Sequence, residues 1–220
     1  MKNKFILAPS ILAANFSALG EDISIVEKNG AEYLHFDVMD GRFVPNISFG
    51  IPVLAGIKKC TKLFFDVHLM IYDPLKYIEA FAEAGADIIN FHIETVSDIP
   101  SIIKAIKKTG KKAAVTLKPN TPIEKIYKWA DVVDMILIMS VEPGFGGQKF
   151  IELSYERAES LANYINKNNL HTKIEMDGGI DLTNLRRVLN SGVNVVVAGS
   201  AIFKQKHEDT AEAVKKFLCI

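Results

Sequence analysis

The chain predicts a single α/β domain, a (β/α)8 TIM barrel spanning residues 1–220, and three observations carry that expectation. Short β-branched apolar runs alternate with longer amphipathic segments from end to end. The repeat averages roughly 27 residues, the size of a compact strand–helix unit with few insertions. Ser10, Asp37, His68, Asp177 and Ser200 fall at or just past the carboxyl ends of such runs, spread along the whole chain. A doubly wound open sheet shares the alternation. It would scatter several of those residues, whereas a closed barrel gathers all of them into one ring.

The first apolar run, 5–10, is broken by Pro9 and Ser10 and leads directly into a helix start at 17–29. The basic, apolar beginning therefore reads as a first strand, although its outline is that of a short signal peptide. In strand 33–39, alternation places His35, Asp37 and Met39 on one face. Helix 50–59 follows, then strand 63–70, where Asp66, His68 and Met70 share a face. Helix 74–84 is expected to open with Asp73 as N-cap and Pro74 at its first position. Strand 87–93 precedes helix 98–109, which Gly110 stops. Strand 112–117, helix 123–129, strand 134–140 and helix 154–168 continue the pattern. Strand 172–177 ends on Asp177, and helix 182–190, strand 194–198 and helix 209–218 complete eight units.

Basic and acidic residues balance at 26 each, with a pI near 7.0 and no like-charged tail. That balance argues against a nucleic-acid partner. No apolar stretch has the length of a membrane-spanning helix, so no membrane partner is expected. Cys60 and Cys219 are far apart and form no CxxC pair, which fits a reducing cytoplasm better than a disulfide framework.

His35, Asp37, His68 and Asp177 are two imidazoles and two carboxylates at one end of the predicted barrel. Each alone reads equally as a hydrogen-bonded core histidine or a turn-closing aspartate. As a set they suit a divalent metal ion, Zn²⁺, Fe²⁺, Mn²⁺ or Co²⁺, and they already contain two acid/base groups. Asp66, His92 and Glu94 also alternate inward and are expected to orient those ligands through hydrogen bonds. Glycine-rich turns follow the last three strands: Pro143-Gly144-Phe145-Gly146-Gly147-Gln148, Gly178-Gly179 and Gly199-Ser200. Each alone is an ordinary tight turn, but three on consecutive late strands favour a phosphate held by backbone N–H groups. None of these turns contains Arg or Lys, so a cationic clamp is not expected, and Lys149 beside the first turn is expected to matter little. Met39, Met70 and Met139 are either core filling or an apolar collar around the site.

These motifs together resemble ribulose-phosphate 3-epimerases. The likeness runs in order through Leu7–Ala13, His35–Gly41, Val44–Asn46, Asp66–Met70, Val141–Gln148, Asp177–Ile180 and Val197–Phe203, nearly the full length. It implies a ribulose-phosphate-binding barrel of the pentose phosphate pathway, an isomerase that interconverts D-ribulose 5-phosphate and D-xylulose 5-phosphate. It implies that His35, Asp37, His68 and Asp177 bind the metal, zinc above the others, and that Asp37 and Asp177 are the acid/base pair. Ser10 and His68 would then contact substrate, with Gly144, Phe145, Gly146, Gly147, Asp177, Gly178, Gly179, Gly199 and Ser200 completing its pocket. A homo-oligomer is also implied. Lys118 and Glu142 fall where family members vary and receive no role. The proton at C3 lies alpha to the C2 ketone, so two carboxylates on opposite sides would invert C3 through a metal-stabilised 2,3-enediolate, without a redox cofactor.

Three other readings compete. A 3-epimerase of a hexulose 6-phosphate, such as allulose 6-phosphate, would share the quartet and differ in pocket length. A phosphate-binding barrel lyase or decarboxylase would place a lysine in a D-x-K strand motif, where this chain reads Asp66-Val67-His68. A non-catalytic metal or sugar-phosphate binder would lack part of the acid/base set, which is intact here.

Overall fold

The computed structural model describes residues 5–204 and 206–220. Eight parallel strands are β1 (Ile6–Pro9), β2 (Tyr33–Met39), β3 (Phe64–Met70), β4 (Ile88–His92), β5 (Lys112–Leu117), β6 (Met135–Met139), β7 (Lys173–Asp177) and β8 (Val195–Ala198). The ladder runs unbroken from β1 to β8 and back through β7, β6, β5, β4 and β3 to β2. Between β1 and β2, the Ser10–His35 bridge and a Glu32 N–H to Leu7 carbonyl hydrogen bond at 3.4 Å complete a (β/α)8 barrel. All eight expected strands are present, trimmed by a residue at most ends. Ser10 lies one position past β1, and the strand expected at 87–93 gives way at Ile93 to a 3-10 turn, Ile93–Thr95. The expected strand at 5–10 lies inside the described residues, whereas Met1–Lys4 fall outside them.

Outside the barrel lie α1 (Leu19–Lys28), α2 (Ile51–Ile57), α3 (Ile78–Ala84), α4 (Ile99–Lys108), α5 (Glu124–Tyr127), α6 (Leu153–Lys167), α7 (Leu185–Asn190) and α8 (His207–Leu218). In α4 the local code is explicit. The Asp98 side chain accepts from Ser101 N–H at 3.2 Å, Pro100 sits in the first turn, and Ile102, Ile103 and Ile106 form the buried stripe. Lys107 and Lys108 occupy the last turn, where they complement the helix dipole. Gly110 follows at φ +78°, in the left-handed region open to glycine.

Several expected helices are shorter than the pattern suggested. Asp73 does not cap the third one: it is left-handed at φ +51°, its side chain makes no capping bond, and it pairs instead with Lys76 at 3.2 Å. An N-cap needs extended backbone for its oxygen to reach the first free N–H groups. Pro74–Lys76 consequently forms a 3-10 turn, and α3 begins only at Ile78. The segment 123–129 holds a single α-turn. The turn after β7 also differs, because the Asp181 carboxylate accepts from Thr183 N–H and delays α7 to Leu185.

Strand alternation sorts the buried residues into two sets. Leu34, Phe36, Phe65, Val67, Ile89, Phe91, Val115, Ile136, Ile138, Ile174, Met176 and Val196 pack with the helices in one continuous core. Full burial of each of these large side chains contributes about 1.5–3 kcal/mol. The other parity fills the barrel. Its floor is apolar, where Ile88, Ala114, Met135 and Val195 pack against Ile6, Tyr33 and Phe64, and the same cluster climbs through Ala8 to Val197 beside the cavity. Above it lie the buried polar groups His35, Asp66, Asn90, Thr116 and Glu175, then Asp37 and His68. The barrel interior therefore grades from dry to ionisable toward the carboxyl ends of the strands.

Candidate active site

Register explains how distant residues meet. On β2 and β3, His35 is opposite Asp66 and Asp37 opposite His68, while on β6 and β7 Met139 is opposite Asp177. In the closed ring only β8 and β1 separate β7 from β2. One donor atom from each of His35, Asp37, His68 and Asp177 lies within 4.8 Å of the others. His35 Nε2 is 3.2 Å from Asp37 Oδ1, 3.3 Å from His68 Nδ1 and 3.9 Å from Asp177 Oδ2. His68 Nδ1 is itself 3.2 Å from Asp37 Oδ1.

The hydrogen bonds behind these atoms assign the imidazole tautomers. The Asp66 carboxylate accepts from His35 Nδ1–H at 2.5 Å, which leaves Nε2 facing the cluster. Glu94 Oε2 lies 3.3 Å from His92 Nδ1, and His92 Nε2 lies 2.9 Å from His68 Nε2. A carboxylate only accepts, so His92 carries its proton on Nδ1 and its Nε2 accepts from His68 Nε2–H. The His68 Nδ1 lone pair is thereby turned to the centre. Burial, with smaller effects from its neighbours, lowers His92 to a pKa of about 4, so it is the neutral link this relay requires. Glu94 is anchored in turn, accepting from Lys118 N–H at 2.8 Å and from the Thr121 hydroxyl. Lys118, given no role by sequence, supplies that amide and sets its ammonium 4.2 Å from the Phe43 ring centroid.

The electrostatics of the cluster suit added positive charge. Burial alone would lower His35, but Asp37 and Asp66 prevail and hold it well above its ordinary value. Burial would raise Asp37, yet His35 and His68 hold it well below the usual carboxylate range. Asp177 moves the other way, pushed up to about 6 by burial and by the Asp37 charge. Converging lone pairs beside two carboxylates, with a proton trapped on His35, fit a divalent cation that would displace that proton. Deeper in the barrel, Asp66 Oδ1 and Glu175 Oε1 are buried without a hydrogen-bond partner. Burial and Asp66 push Glu175 well above its usual range, so a proton resides there.

Above the cluster opens a cavity of about 380 Å³. Its walls include Ser10, Asp37, Met39, Met70, Met139 and Asp177, together with Gly144–Gly147, Gly178, Gly179, Gly199 and Ser200. Ser10 Oγ donates to Asp37 Oδ2 at 2.6 Å, so both oxygens of that carboxylate are held. Met39 and Met70 pack with Val44, and Met139 with Leu137 and Val141. His35 and His68 are fully buried and do not line the cavity, which they meet through Asp37 and Asp177. Phe145 is 53 % exposed at the mouth, on a loop tied down by Asn46 Nδ2, which donates to the Gly144 carbonyl at 2.8 Å. Two glycines are obligatory. Gly178 has φ +121° and a Cβ there would sit 2.4 Å from Val141 Cγ2. Gly179 has φ +64° and its Cβ would meet Phe150 N at 2.7 Å.

The sequence pattern gathered the quartet and the three glycine turns. It missed Glu142, Asp181 and Lys204, which also line the cavity. Lys204 lies four residues past Ser200, one turn beyond the last glycine motif, and that spacing was the available signal. Lys149 does not reach the lining.

A family model described as the ribulose-phosphate 3 epimerase family matches residues 6–203. A Synechocystis protein named ribulose-phosphate 3-epimerase is 46 % identical over 205 residues, covering 92 % of this chain and 89 % of that protein. An Arabidopsis thaliana protein named ribulose-5-phosphate-3-epimerase, chloroplastic, is 45 % identical over 97 % of this chain and 76 % of its own length. Among solved structures, a tryptophan synthase alpha-subunit from Pyrococcus furiosus superposes with a TM-score of 0.74 at 14 % identity, covering 100 % of this chain and 99 % of that one. That likeness is of fold alone.

Proposed function

This chain belongs to the ribulose-phosphate 3-epimerase family, isomerases that interconvert D-ribulose 5-phosphate and D-xylulose 5-phosphate, and from that premise we propose that Asp37 and Asp177 carry the proton transfers at C3. The observation that carries the assignment is their convergence from β2 and β7 on one donor cluster at the base of a glycine-lined cavity. The C3 proton is acidified by the adjacent C2 ketone. One carboxylate removes it from one face and the other, as a carboxylic acid, returns a proton to the opposite face, which inverts C3 through a 2,3-enediolate. Ser10 fixes the rotamer of Asp37, and the buried Asp66 and Glu94–His92 contacts fix the imidazoles beside it. His35, Asp37, His68 and Asp177 would hold one divalent ion, zinc before iron, manganese or cobalt, which supplies Lewis-acid stabilisation of negative charge developing on the sugar oxygens.

Backbone N–H groups of Gly146, Gly179, Gly199 and Ser200 would anchor the phosphate, with Gly144, Phe145, Gly147 and Gly178 shaping that end of the pocket. Remote binding energy then fixes C3 between the two carboxyls. Met39, Met70 and Met139 would exclude water around the reacting carbons.

Among the described residues no helix is long and apolar enough to cross a membrane. The free thiols Cys60 and Cys219 support a reducing cytoplasmic setting. Exposed Ile47, Tyr72, Leu75 and Tyr77 in the connections after β2 and β3 support a homo-oligomer. The decisive experiment combines metal analysis of gently purified protein with coupled epimerase assays on five- and six-carbon ketose phosphates. Turnover of ribulose 5-phosphate above hexulose 6-phosphates is expected. Metal-reconstituted protein with no epimerase activity on ribulose 5-phosphate would overturn the assignment.

A further inference from the structure

The cavity is electrostatically unsuited to the anion it would bind. Its described lining contains four carboxylates, Asp37, Glu142, Asp177 and Asp181, against a single cation, Lys204. A phosphate monoester brings roughly −1.5 to −2 more charge at neutral pH. A divalent ion at the quartet would offset Asp37 and Asp177 at the base of the cavity. It leaves Glu142 and Asp181 near the glycine turns, where backbone amides offer only partial charges.

Lys204 stands at that end. Its Nζ donates to the Ser200 carbonyl at 2.6 Å, so the ammonium is docked on the Gly199-Ser200 turn that lines the cavity. One of its three protons is used by that bond, and two remain. Asp181, after the Gly178-Gly179 turn, is held ionised by the Thr183 hydroxyl and amide, with Lys204 adding attraction. Among the described lining residues, Lys204 is thus the one cationic side chain, and it is placed to offset Asp181 when an anion enters. Because the side chain is exposed, the contribution is screened by salt.

We infer that Lys204 is a substrate-binding residue that supplies the formal positive charge of the phosphate subsite, adding to the backbone donors of the glycine turns. This rests on the phosphate-anchoring reading above and goes beyond it by naming a side chain.

The test compares wild type, Lys204→Gln, Lys204→Arg and, as a control for loss of any nearby surface charge, Lys149→Gln. Each is assayed on D-ribulose 5-phosphate and on unphosphorylated D-ribulose, from low salt to about 0.5 M, where the Debye length shrinks to a few ångströms. Lys204→Gln should raise KM for the phosphorylated sugar about three- to tenfold at low salt, with kcat within about twofold. The inhibition constant of inorganic phosphate should weaken in parallel, and the difference from wild type should fade with salt. Lys204→Arg should restore both values, Lys149→Gln should match wild type, and the ribulose kinetics should not change. A Lys204→Gln enzyme with wild-type KM and phosphate inhibition at low salt would overturn the inference. So would an equal loss on both sugars, which marks a merely structural contact with Ser200. The two readings fail separately. Equal kcat/KM of wild type on the two sugars removes the phosphate subsite itself, whereas a preference for the phosphorylated sugar that Lys204→Gln leaves undiminished removes only Lys204.

Discussion

Glu94→Gln tests the tautomer relay with almost no change in size. The Glu94 Oε1 atom accepts from two donors, Lys118 N–H and the Thr121 hydroxyl, while Oε2 faces His92 Nδ1–H. A glutamine has one accepting end and one donating end. If its oxygen keeps the two donors, its NH2 meets His92 Nδ1 and forces the proton to His92 Nε2. That proton then opposes His68 Nε2–H across 2.9 Å. The conflict resolves when His68 shifts its proton to Nδ1, the atom aimed at His35 and Asp37, and so loses its lone pair toward the metal. If the amide flips, its NH2 faces two donors and the turn at 118–121 loosens. Either way metal affinity should fall tenfold to a hundredfold, about 1.4–2.8 kcal/mol. The fall is read by chelator competition with zinc or manganese. Nitrogen-15 spectra of the metal-free imidazoles report the His68 tautomer directly. Affinity within about twofold of wild type, with His68 still protonated on Nε2, would refute the reasoning.

Asp37→Asn and Asp177→Asn should each cut kcat by several orders of magnitude while circular dichroism stays native, because each removes an acid/base group. Hydrogen exchange at C3 in deuterated water refines the test, and near wild-type epimerisation in either variant discards the two-base assignment. Metal affinity of the metal-free protein should drop as pH falls through about 6. Asp177, raised by burial and by Asp37, then takes up a proton, and His35 already holds one well above its ordinary range. Calorimetry in buffers of different ionisation enthalpy should show protons released on binding, and a pH-independent affinity between 5 and 7 would contradict this. Gly199→Val should raise KM for ribulose 5-phosphate sharply with a smaller effect on kcat, since even a Cβ there lies 3.2 Å from Ala13 Cβ. An unchanged KM in that variant would argue against phosphate at this turn.

The strands were legible because buried strands write their parity into the chain. His35, Asp37 and Met39 alternate with Leu34, Phe36 and Val38, and the structure sends the first set inward and the second to the helices. The quartet followed from that parity plus closure of the ring. Helix starts were less legible, because they depend on one residue's backbone angle. Asp73-Pro74 has the composition of a cap, but the left-handed turn at Asp73 removes the geometry a cap needs. The Glu94–His92–His68 relay was foreseen as orienting contacts, yet its direction depends on which nitrogen faces which, and that is set by inter-strand packing. Lys204 was invisible to a search confined to glycine turns, because a lysine's reach carries its charge back one turn from where it stands in sequence.

The closure between β1 and β2 has a consequence for the whole molecule. Every other neighbour pair in the barrel shares a continuous ladder, whereas here one bridge, one long backbone hydrogen bond and the Ser10–Asp37 contact hold the ring shut. If the barrel opens locally at that join, the opening should draw Ser10 away from Asp37. An ion shared by His35 and Asp37 on one side of the join and Asp177 on the other would therefore act as a clasp across it. Amide protection in β1 and at the start of β2 should rise more on metal loading than protection in β4 or β5, by up to RT ln(1 + [metal]/Kd). Loss of metal would then loosen the hoop itself, so that catalytic competence and the integrity of the barrel rise and fall together.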